Sequence, residues 1–304
     1  MEKKEPPLSN IENETELAKK LGVSVRALAT VLKHAPAMYR EIQIKKKDGT
    51  PRTLRAPANN LKTVQRAVLD KILVASPLPG CAYGFGRGKG IVDNARLHAG
   101  NPYLLNVDIK DFFPSVHFTR VQKIFTRLGA IKGMAPTLTR LTTFEHSLPQ
   151  GAPTSPYLAT LALSKLDRRL TQLCVSNRLT YSRYFDDITI SGGERAHKIV
   201  EAVAQIIDEE GYKMHRGADK LRLSGPYDDK LVTGIIIKNG VLEAPKVKEV
   251  LDYLHLLQRE GLKALKDDNP LKEQMSLRGK INFIQQIDPK VGLALTQELE
   301  KIAW

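Results

Sequence analysis

Two adjacent aspartates, Asp186 and Asp187, lie between two strand-like runs of the sequence, 179–184 and 188–191. Aromatic and β-branched residues favour strands, whereas Asp is poor in a strand interior and good at a tight turn. The pattern therefore predicts a β-hairpin that holds two carboxylates at its tip. Adjacent carboxylates repel each other unless a cation lies between them, and oxygen ligands suit hard divalent ions such as Mg²⁺. A solvated Asp-Asp turn is the simpler alternative, and the pair alone does not exclude it.

A third carboxylate with a similar setting lies upstream, at Asp108. It ends an apolar run of strand type, 103–108, and Asp111 follows shortly after it. If Asp108 lies beside the predicted hairpin, three carboxylates converge and could bind two Mg²⁺ ions, with Mn²⁺ as an alternative metal. Two such ions clamp the attacking and leaving oxygens of a phosphoryl transfer. A loop punctuated by Gly and Pro, 148–156 with the sequence LPQGAPTSP, lies between the two carboxylate blocks.

The order and spacing of these three blocks resemble the palm of reverse transcriptases. The resemblance implies an α+β chain with the right-hand polymerase fold, made of fingers, a ferredoxin-like palm and a helical thumb. We expect N-terminal helices and fingers in 1–102, the palm in 103–242 with 117–147 returning to the fingers, and the thumb in 243–304. Apolar periodicity predicts helices and later strands. The helices are expected at 60–74, 119–128, 136–144, 157–174, 197–211, 246–260, 269–286 and 289–303, and the strands at 221–225 and 231–237.

The resemblance also implies roles for the carboxylates in template-directed DNA synthesis on RNA. Asp108 and Asp186 are expected to bridge the two metal ions, and Asp187 to support the ion on the primer side. The backbone carbonyl of Ile109 is a further candidate ligand. One residue departs from the family pattern, because Phe185 stands where many related enzymes have Ala in the Tyr-x-Asp-Asp motif. This departure leaves both aspartates in place and bears on fidelity and rate rather than on activity.

A hairpin that carries a nucleotide-binding arginine is predicted for residues 39–54. The run alternates, contains three lysines, and turns at Asp48-Gly49, which is a hairpin-turn dipeptide. By resemblance, Arg52 on the return strand grips the incoming triphosphate, and a guanidinium suits phosphate oxygens. A solvated basic hairpin is the alternative for this stretch.

Further nucleotide-binding residues follow from the same resemblance. Phe113 matches the steric gate that selects deoxynucleotides, although core packing would also explain an apolar side chain there. Gln150 and Gly151 match the loop that contacts the incoming nucleotide and the template base. Asp111 is expected near the triphosphate through its backbone, and Lys220 matches, more loosely, a lysine thought to protonate pyrophosphate.

Two short motifs resemble marks of the retron reverse transcriptases among the bacterial enzymes. They are Asn94-Ala95-x-x-His98 and Val232-Thr233-Gly234. We take Asn94, His98 and the residues 232–234 as candidates for RNA contacts. RNA is usually recognised through loops, stacking and 2′-OH groups, so the contacts themselves cannot be chosen from sequence. On periodicity alone, His98 would be an ordinary helix residue.

Membership in the retron group would imply a particular partner and product. The partner is a cognate structured noncoding RNA (msr-msd), and synthesis with dNTPs starts from the 2′-OH of a guanosine in that RNA. The product is msDNA, a short single-stranded DNA joined to RNA. Such systems resemble antiphage defence units with a separate effector protein, and nothing in this sequence suggests an effector domain.

Composition agrees with a nucleic-acid partner. The 304 residues include 47 Lys and Arg against 33 Asp and Glu, a net charge of +14, and such an excess favours polyanions. No apolar run approaches the roughly 20 residues of a membrane span, and the charged N-terminus lacks a signal-peptide core. Cys81 and Cys174 are too far apart for a metal-binding pattern and favour a reducing, cytoplasmic setting.

Several other classes of protein fit the sequence less well. A catalytically inactive RNA-binding protein would explain the charge but not three placed carboxylates. A group II intron maturase would need a domain after the thumb. An abortive-infection polymerase would lack the two short motifs, and a nucleotide cyclase has no place for LPQGAPTSP. The segment 14–32 mimics a helix-turn-helix, with Ser24 as an N-cap, but a helical lead-in to the polymerase explains it better.

Overall fold

The architecture comes from a computed structural model that describes residues 5–45, 49, 51–85, 88–131, 133–217, 220–267 and 269–304. The described residues mix helices and sheets, as predicted. The α-helices are α1 Glu14–Leu21, α2 Val25–His34, α3 Asn59–Val68, α4 Ile91–His98, α5 Phe112–Ser115, α6 Phe118–Arg127, α7 Met134–Thr142, α8 Ser155–Ala162, α9 Ser164–Ser176, α10 Arg195–Lys198, α11 Val200–Glu209, α12 Val247–Glu260, α13 Pro270–Ile287 and α14 Pro289–Glu300. The strands are β1 Tyr39–Lys45, β2 Pro51–Pro57, β3 Ala82–Tyr83, β4 Tyr103–Asp108, β5 Thr180–Tyr184, β6 Asp187–Gly192, β7 Arg222–Ser224, β8 Lys230–Val232, β9 Ile235–Lys238 and β10 Val241–Glu243.

The strands form three sheets. β1 and β2 make a two-stranded hairpin, and β10-β9-β8 make a three-stranded sheet. The third sheet has the order β3-β5-β6-β4-β7. Along the chain, β4, β5, β6 and β7 alternate with helices in the β-α-β-β-α-β order of the predicted ferredoxin-like palm. The hairpin turn at Asp48, and the lysines Lys46 and Lys47 before it, lie outside the described residues.

The chain divides into two compact units. The first comprises residues 1–82, 107–173 and 201–217, and the second comprises 83–106, 174–200 and 218–304. The predicted limits of fingers, palm and thumb stay predictions. No helix among the described residues combines the length and apolarity needed to cross a bilayer.

Short helices with explicit caps begin the first unit. The side chain of Asn13 accepts a hydrogen bond from the Glu16 amide and caps α1. Ser24 caps α2 by accepting from the Ala27 amide, which confirms the predicted N-cap. Such caps satisfy backbone donors that a helix start leaves without partners.

The C-terminal helices of the second unit share one apolar core. On α12, the buried residues Val250, Tyr253, Leu254 and Leu257 recur at helical spacing, so that they form one stripe. Asn269 and Asp288 cap α13 and α14, and each is followed by a proline at the first helical position. These signals explain why the predicted bounds of the last helices lie close to those observed.

Three predicted elements are each divided in the structure. The expected helix 197–211 is interrupted at Ile199, between α10 and α11. The expected helix 157–174 is broken at Leu163, where the Ser164 hydroxyl donates to the Leu161 carbonyl at 2.8 Å. Such a local bond competes with the helical ladder. The expected strand 231–237 is a hairpin, because Val232 pairs with Ile235 and the two residues between them turn the chain. Those residues, Thr233 and Gly234, have φ of 48° and 86°, as two-residue hairpin turns need.

Candidate active site

The Asp-Asp pair lies at the end of the hairpin formed by β5 and β6. The strands pair antiparallel, with Tyr184 opposite Asp187, so that Phe185 and Asp186 form a two-residue loop. Asp186 is half-buried in this loop, and Asp187 is the exposed first residue of β6. The flanks are buried, with Ile188 and Ile190 fully so. The hairpin therefore presents two carboxylates from a rigid base.

The loop is held in an unusual backbone conformation by its neighbours. Phe185 has a φ of 53°, a region that bulky residues seldom adopt. The guanidinium of Arg183 is fully buried and donates to the Phe185 carbonyl at 2.6 Å. The Phe185 ring lies across Gly84, where a Cβ would come within 3.0 Å of it, and it packs edge-on against Phe85 at 5.4 Å. These contacts compensate for the strain of the turn.

The tyrosine beside the pair is also affected by the site. Burial, and then the negative charge of Asp187, raises the pKa of the Tyr184 hydroxyl above its usual range. Both effects disfavour the phenolate. Tyr184 therefore remains a neutral hydrogen-bond donor next to the carboxylates at neutral pH.

Asp108 is the last residue of β4, a strand next to β6 in the sheet order. Asp108 is buried, with 7 % of its surface exposed. Its carbonyl accepts from the His215 amide, and the Lys110 amide donates to the Lys213 carbonyl, both at 2.8 Å. In this antiparallel bridge the carbonyl of Ile109 points away from the partner segment. It is therefore not used by that bridge and fits the role of a backbone ligand.

Two predicted nucleotide-binding residues, distant in sequence, lie together in the first unit. Nε of Arg52 donates to Oε1 of Gln150 at 3.0 Å. The amide of Arg55 donates to the Gln150 carbonyl at 2.6 Å, which joins β2 to the loop 148–156. Gly151 has a φ of +123°, and a Cβ there would lie 3.1 Å from the Arg55 carbonyl oxygen. Glycine is required because the two backbones approach so closely.

The remaining nucleotide-binding candidates occupy separate places. Asp111 is exposed, with a φ of 49°, and immediately precedes α5. Phe113 is half-buried on α5, with its ring 5.2 Å from that of Phe112. Lys220, half-buried in the second unit, lies in a turn just before β7. Their roles stay predictions.

The two short motifs meet at one helix of the second unit. Asn94 and His98 lie on α4 and are fully buried, as is Val232 on β8. Thr233 is half-buried, Gly234 is exposed, and the Thr233 hydroxyl donates to the Ile91 carbonyl at the start of α4. The surface available to RNA in this arrangement is therefore that of the turn, and the side chains of Asn94 and His98 face the protein interior.

The candidate metal ligands can be tested by their chemistry. Asp108, Asp186, Asp187 and the Ile109 carbonyl offer oxygen atoms alone, which suits a hard divalent ion. Among the residues described, no group of three or more His, Cys, Asp or Glu side chains is already assembled as a metal site. The donor set fits the expected ions, and the coordination itself stays a prediction.

Comparison with known proteins decides the family. Residues 44–224 match the model of the reverse transcriptase (RNA-dependent DNA polymerase) family. Retron Mx162 reverse transcriptase of Myxococcus xanthus is 31% identical, over 97% of this chain and 68% of its own. Retron Ec86 reverse transcriptase of Escherichia coli is 32% identical, over 98% of this chain and 90% of its own. This chain belongs to the retron reverse transcriptases.

The assignment confirms several predictions made from the sequence. The protein is an RNA-directed DNA polymerase of a retron, and its fold is the α+β fold of reverse transcriptases. Among solved structures, a telomerase from Candida albicans in complex with a fragment of telomeric RNA covers 85% of this chain and 56% of its own. Its TM-score is 0.49 at 10% identity, a level at which the likeness adds nothing to the assignment.

Sequence reasoning missed the residues that support the site from within. Arg183, Ser182 and Ser191 all lie on the retron reverse transcriptase's hairpin and are fully buried. The position of Arg183 inside the strand-like run 179–184 is the one signal that could have been noticed, because an arginine that a strand buries usually has a partner. The serines carry no such signal in the sequence.

Proposed function

We propose that this reverse transcriptase copies part of a cognate structured noncoding RNA (msr-msd) into msDNA, starting from the 2′-OH of a guanosine in that RNA. The observation that carries the proposal is the hairpin tip, where Asp186 and Asp187 stand on a buried, hydrogen-bonded base. The family assignment supplies the reaction class. In each step the hydroxyl oxygen bonds to the α-phosphorus of a dNTP while the bond to pyrophosphate breaks.

Asp108, Asp186 and Asp187, with the Ile109 carbonyl, would hold two divalent ions, Mg²⁺ or Mn²⁺. When bound, such ions would activate the attacking hydroxyl and neutralise charge on the triphosphate. The support is that Asp108 ends β4, that Asp186 and Asp187 stand at the tip of the β5–β6 hairpin, and that all these ligands are oxygen atoms.

Arg52 and Gln150 would together receive the incoming nucleotide. Their hydrogen bond places a guanidinium and an amide next to each other on an exposed hairpin and an adjacent loop. Arg52 would fork onto triphosphate oxygens, and Gly151 would let the loop backbone approach base and template. Phe113 would exclude a 2′-OH, Asp111 would contact the triphosphate through its backbone, and Lys220 would protonate pyrophosphate.

The cognate RNA would meet a strongly basic protein. The net charge of +14 favours a polyanion, and the Thr233-Gly234 turn offers an exposed surface. We further place the enzyme in the cytoplasm, in an antiphage defence unit with a separate effector protein. These assignments rest on the retron membership.

To test msDNA synthesis, the chain is expressed with and without the DNA that flanks its gene. The extracted nucleic acid is then separated on a denaturing gel. A short DNA that requires the flank, shifts after RNase or debranching treatment, and disappears in Asp186→Ala/Asp187→Ala supports msDNA synthesis. Extension of a primer on an ordinary RNA template without any such product would leave a polymerase and remove the proposed msDNA function.

A further inference from the structure

Helix α4 binds both strands of the hairpin that carries the Asp-Asp pair. Nε2 of His98 lies 2.7 Å from the Ser182 hydroxyl on β5, and Nδ1 lies 2.6 Å from the Ser191 hydroxyl on β6. All three residues have 0% exposed surface. One imidazole therefore bridges the two strands without access to water.

The hydrogen bonds form one directed chain. Ser182 donates its only hydroxyl proton to Oδ1 of Asn94 at 2.5 Å, so it must accept from Nε2–H of His98. A neutral imidazole then accepts at Nδ1 from the Ser191 hydroxyl. Ser191 in turn accepts from the Asn101 amide at 2.8 Å. The direction of every bond follows from the number of protons available.

The opposite orientation of the Asn94 amide satisfies fewer groups. Ser182 would then donate to His98, and Ser191 would accept from both His98 and Asn101, which leaves the Ser191 proton without an acceptor in the network. In the observed orientation Nδ2 of Asn94 is buried without a hydrogen-bond partner among the described residues, and turning the amide over would only exchange this atom for the oxygen. The chain that ends on Oδ1 of Asn94 is therefore preferred.

The other face of α4 packs against the second short motif. Val92 and Ala95 are buried in one apolar cluster with Val232 and Ile235. The Thr233 hydroxyl donates to the Ile91 carbonyl at 3.3 Å. The first motif is thus part of α4 and the second packs against it. The helix has a polar face toward β5 and β6 and an apolar face toward β8 and β9.

We propose that Asn94 and His98 are positioning residues for the catalytic hairpin, and that the Val232–Gly234 turn fixes α4 from its other side. The side chains of Asp187 and Ser191 lie on the same face of β6 by the two-residue alternation of a strand. A hydrogen bond at Ser191 therefore sets the orientation of the strand that presents Asp187. The inference rests on the proposed role of Asp186 and Asp187.

The test compares His98→Leu with Val203→Ala, a control that removes packing from the buried face of α11, outside α4 and its hydrogen-bond network. Extension of a DNA primer on an RNA oligonucleotide gives kcat and the KM for dNTP. We expect His98→Leu to lower kcat by about 100-fold, since small displacements at a reacting centre cost this much, with KM changed by less than about two-fold. His98→Gln keeps a donor toward Ser182 and should recover part of kcat.

Hydrogen exchange of the peptide 180–192 provides a readout that needs no activity. His98→Leu should increase its exchange, whereas Val203→Ala at an equal loss of thermal stability should not. Ser191→Ala removes a single oxygen atom and replaces His98→Leu if that variant does not fold. Equal effects of both variants on kcat and exchange would overturn the positioning role, as would a loss confined to affinity for primer–template.

A failure of the proposed function can be distinguished from a failure of the positioning role. If Asp186→Asn/Asp187→Asn keeps full extension, the carboxylates are not catalytic and the proposed function falls. The exchange comparison then still decides whether α4 holds the hairpin.

Discussion

Two hairpins of this reverse transcriptase are built in opposite ways. β1 of the first hairpin is exposed along nearly its whole length, and its strands are joined by a seven-pair ladder from Tyr39↔Pro57 to Lys45↔Pro51. β5 and β6 are buried along most of their length, and Asp187 at their shared tip is the one exposed residue of the two strands. The first hairpin offers long side chains to solvent, whereas the second holds short carboxylates on a rigid base. Exposure suits a group that captures a mobile nucleotide, and burial suits a group that must hold its position.

Polar contacts in the two hairpins differ in the same sense. Arg55 pairs with Glu41 at 3.0 Å, but the two side chains are 37% and 59% exposed, and such pairs contribute little because water and salt screen them. The contacts of Ser182 and Ser191 with His98 are fully buried, where an unpaired polar group is costly. Substitutions of polar residues in the second hairpin should therefore destabilise the protein more than those in the first.

The largest contrast is expected when one carboxylate of each hairpin is neutralised. Asp186→Asn should lower kcat of primer extension by at least about 1000-fold, because a ligand of the divalent ions that would stabilise the developing charge is lost. Glu41→Gln, in β1, should leave kcat within about two-fold, since its ion pair is exposed. Equal losses in the two variants would contradict the division of roles between the hairpins.

The second expected effect is a pH dependence of stability that arises from His98. Burial lowers the pKa of this imidazole from its usual 6.5 to about 4. The stability that comes from burying the neutral imidazole is fully present above pH 6.5. It is lost as the pH falls toward 4, because the unfolded chain binds the proton more readily than the folded one. The complete loss corresponds to about 3 kcal/mol in the free energy of unfolding.

Urea unfolding at pH 7.5 and pH 5 measures this dependence. His98→Gln should reduce the difference between the two values, whereas His34→Gln, at an exposed position of α2, should not. An unchanged difference in His98→Gln would assign the pH dependence to other groups.

The contrast between the hairpins also explains what the sequence could reveal. The Asp-Asp turn was predictable, because strand-forming residues surround two residues that favour turns. The division of the expected strand 231–237 at Thr233 was not predictable. Thr233 is β-branched and lies in a run of β-branched and apolar residues, which favours a continuous strand, yet it occupies the turn with a φ of 48°. The turn is stabilised by the hydrogen bond from the Thr233 hydroxyl to the Ile91 carbonyl, and glycine follows at the second turn position.

Burial of polar residues was equally invisible in the sequence. Asn94 and His98, four residues apart, would ordinarily indicate a solvated helix face, so RNA contact was the natural hypothesis. Their partners, Ser182 and Ser191, come from strands more than eighty residues later in the chain. The meeting of Arg52 with Gln150 was implied by resemblance alone, because no local pattern joins them.

The third effect concerns the exposed hairpin. Arg52→Ala should raise the KM for dNTP by about 30-fold, equivalent to about 2 kcal/mol for a charge-assisted contact, with stability nearly unchanged. The KM of Arg52→Lys should lie between those of the unchanged protein and Arg52→Ala, since an ammonium cannot bind two oxygens in the forked geometry of a guanidinium. Lys45→Ala removes the same charge from the opposite face of the hairpin and should change KM little. Equal shifts in KM for the alanine variants would indicate a general effect of charge.

The smallest effect separates backbone strain from close approach. Gly151 and Gly133 both have positive φ, but a Cβ at Gly133 would meet nothing within 4 Å, whereas one at Gly151 would meet the Arg55 carbonyl oxygen at 3.1 Å. Gly133→Ala therefore measures strain alone, and Gly151→Ala adds displacement of β2 from the loop. We expect Gly151→Ala to cost about 1 kcal/mol more in urea unfolding and to raise the KM for dNTP, because Gln150 moves away from Arg52. Equal costs with an unchanged KM would mean that the exposed hairpin adapts to the loop, and that its contact with Gln150 does not position Arg52 for the nucleotide.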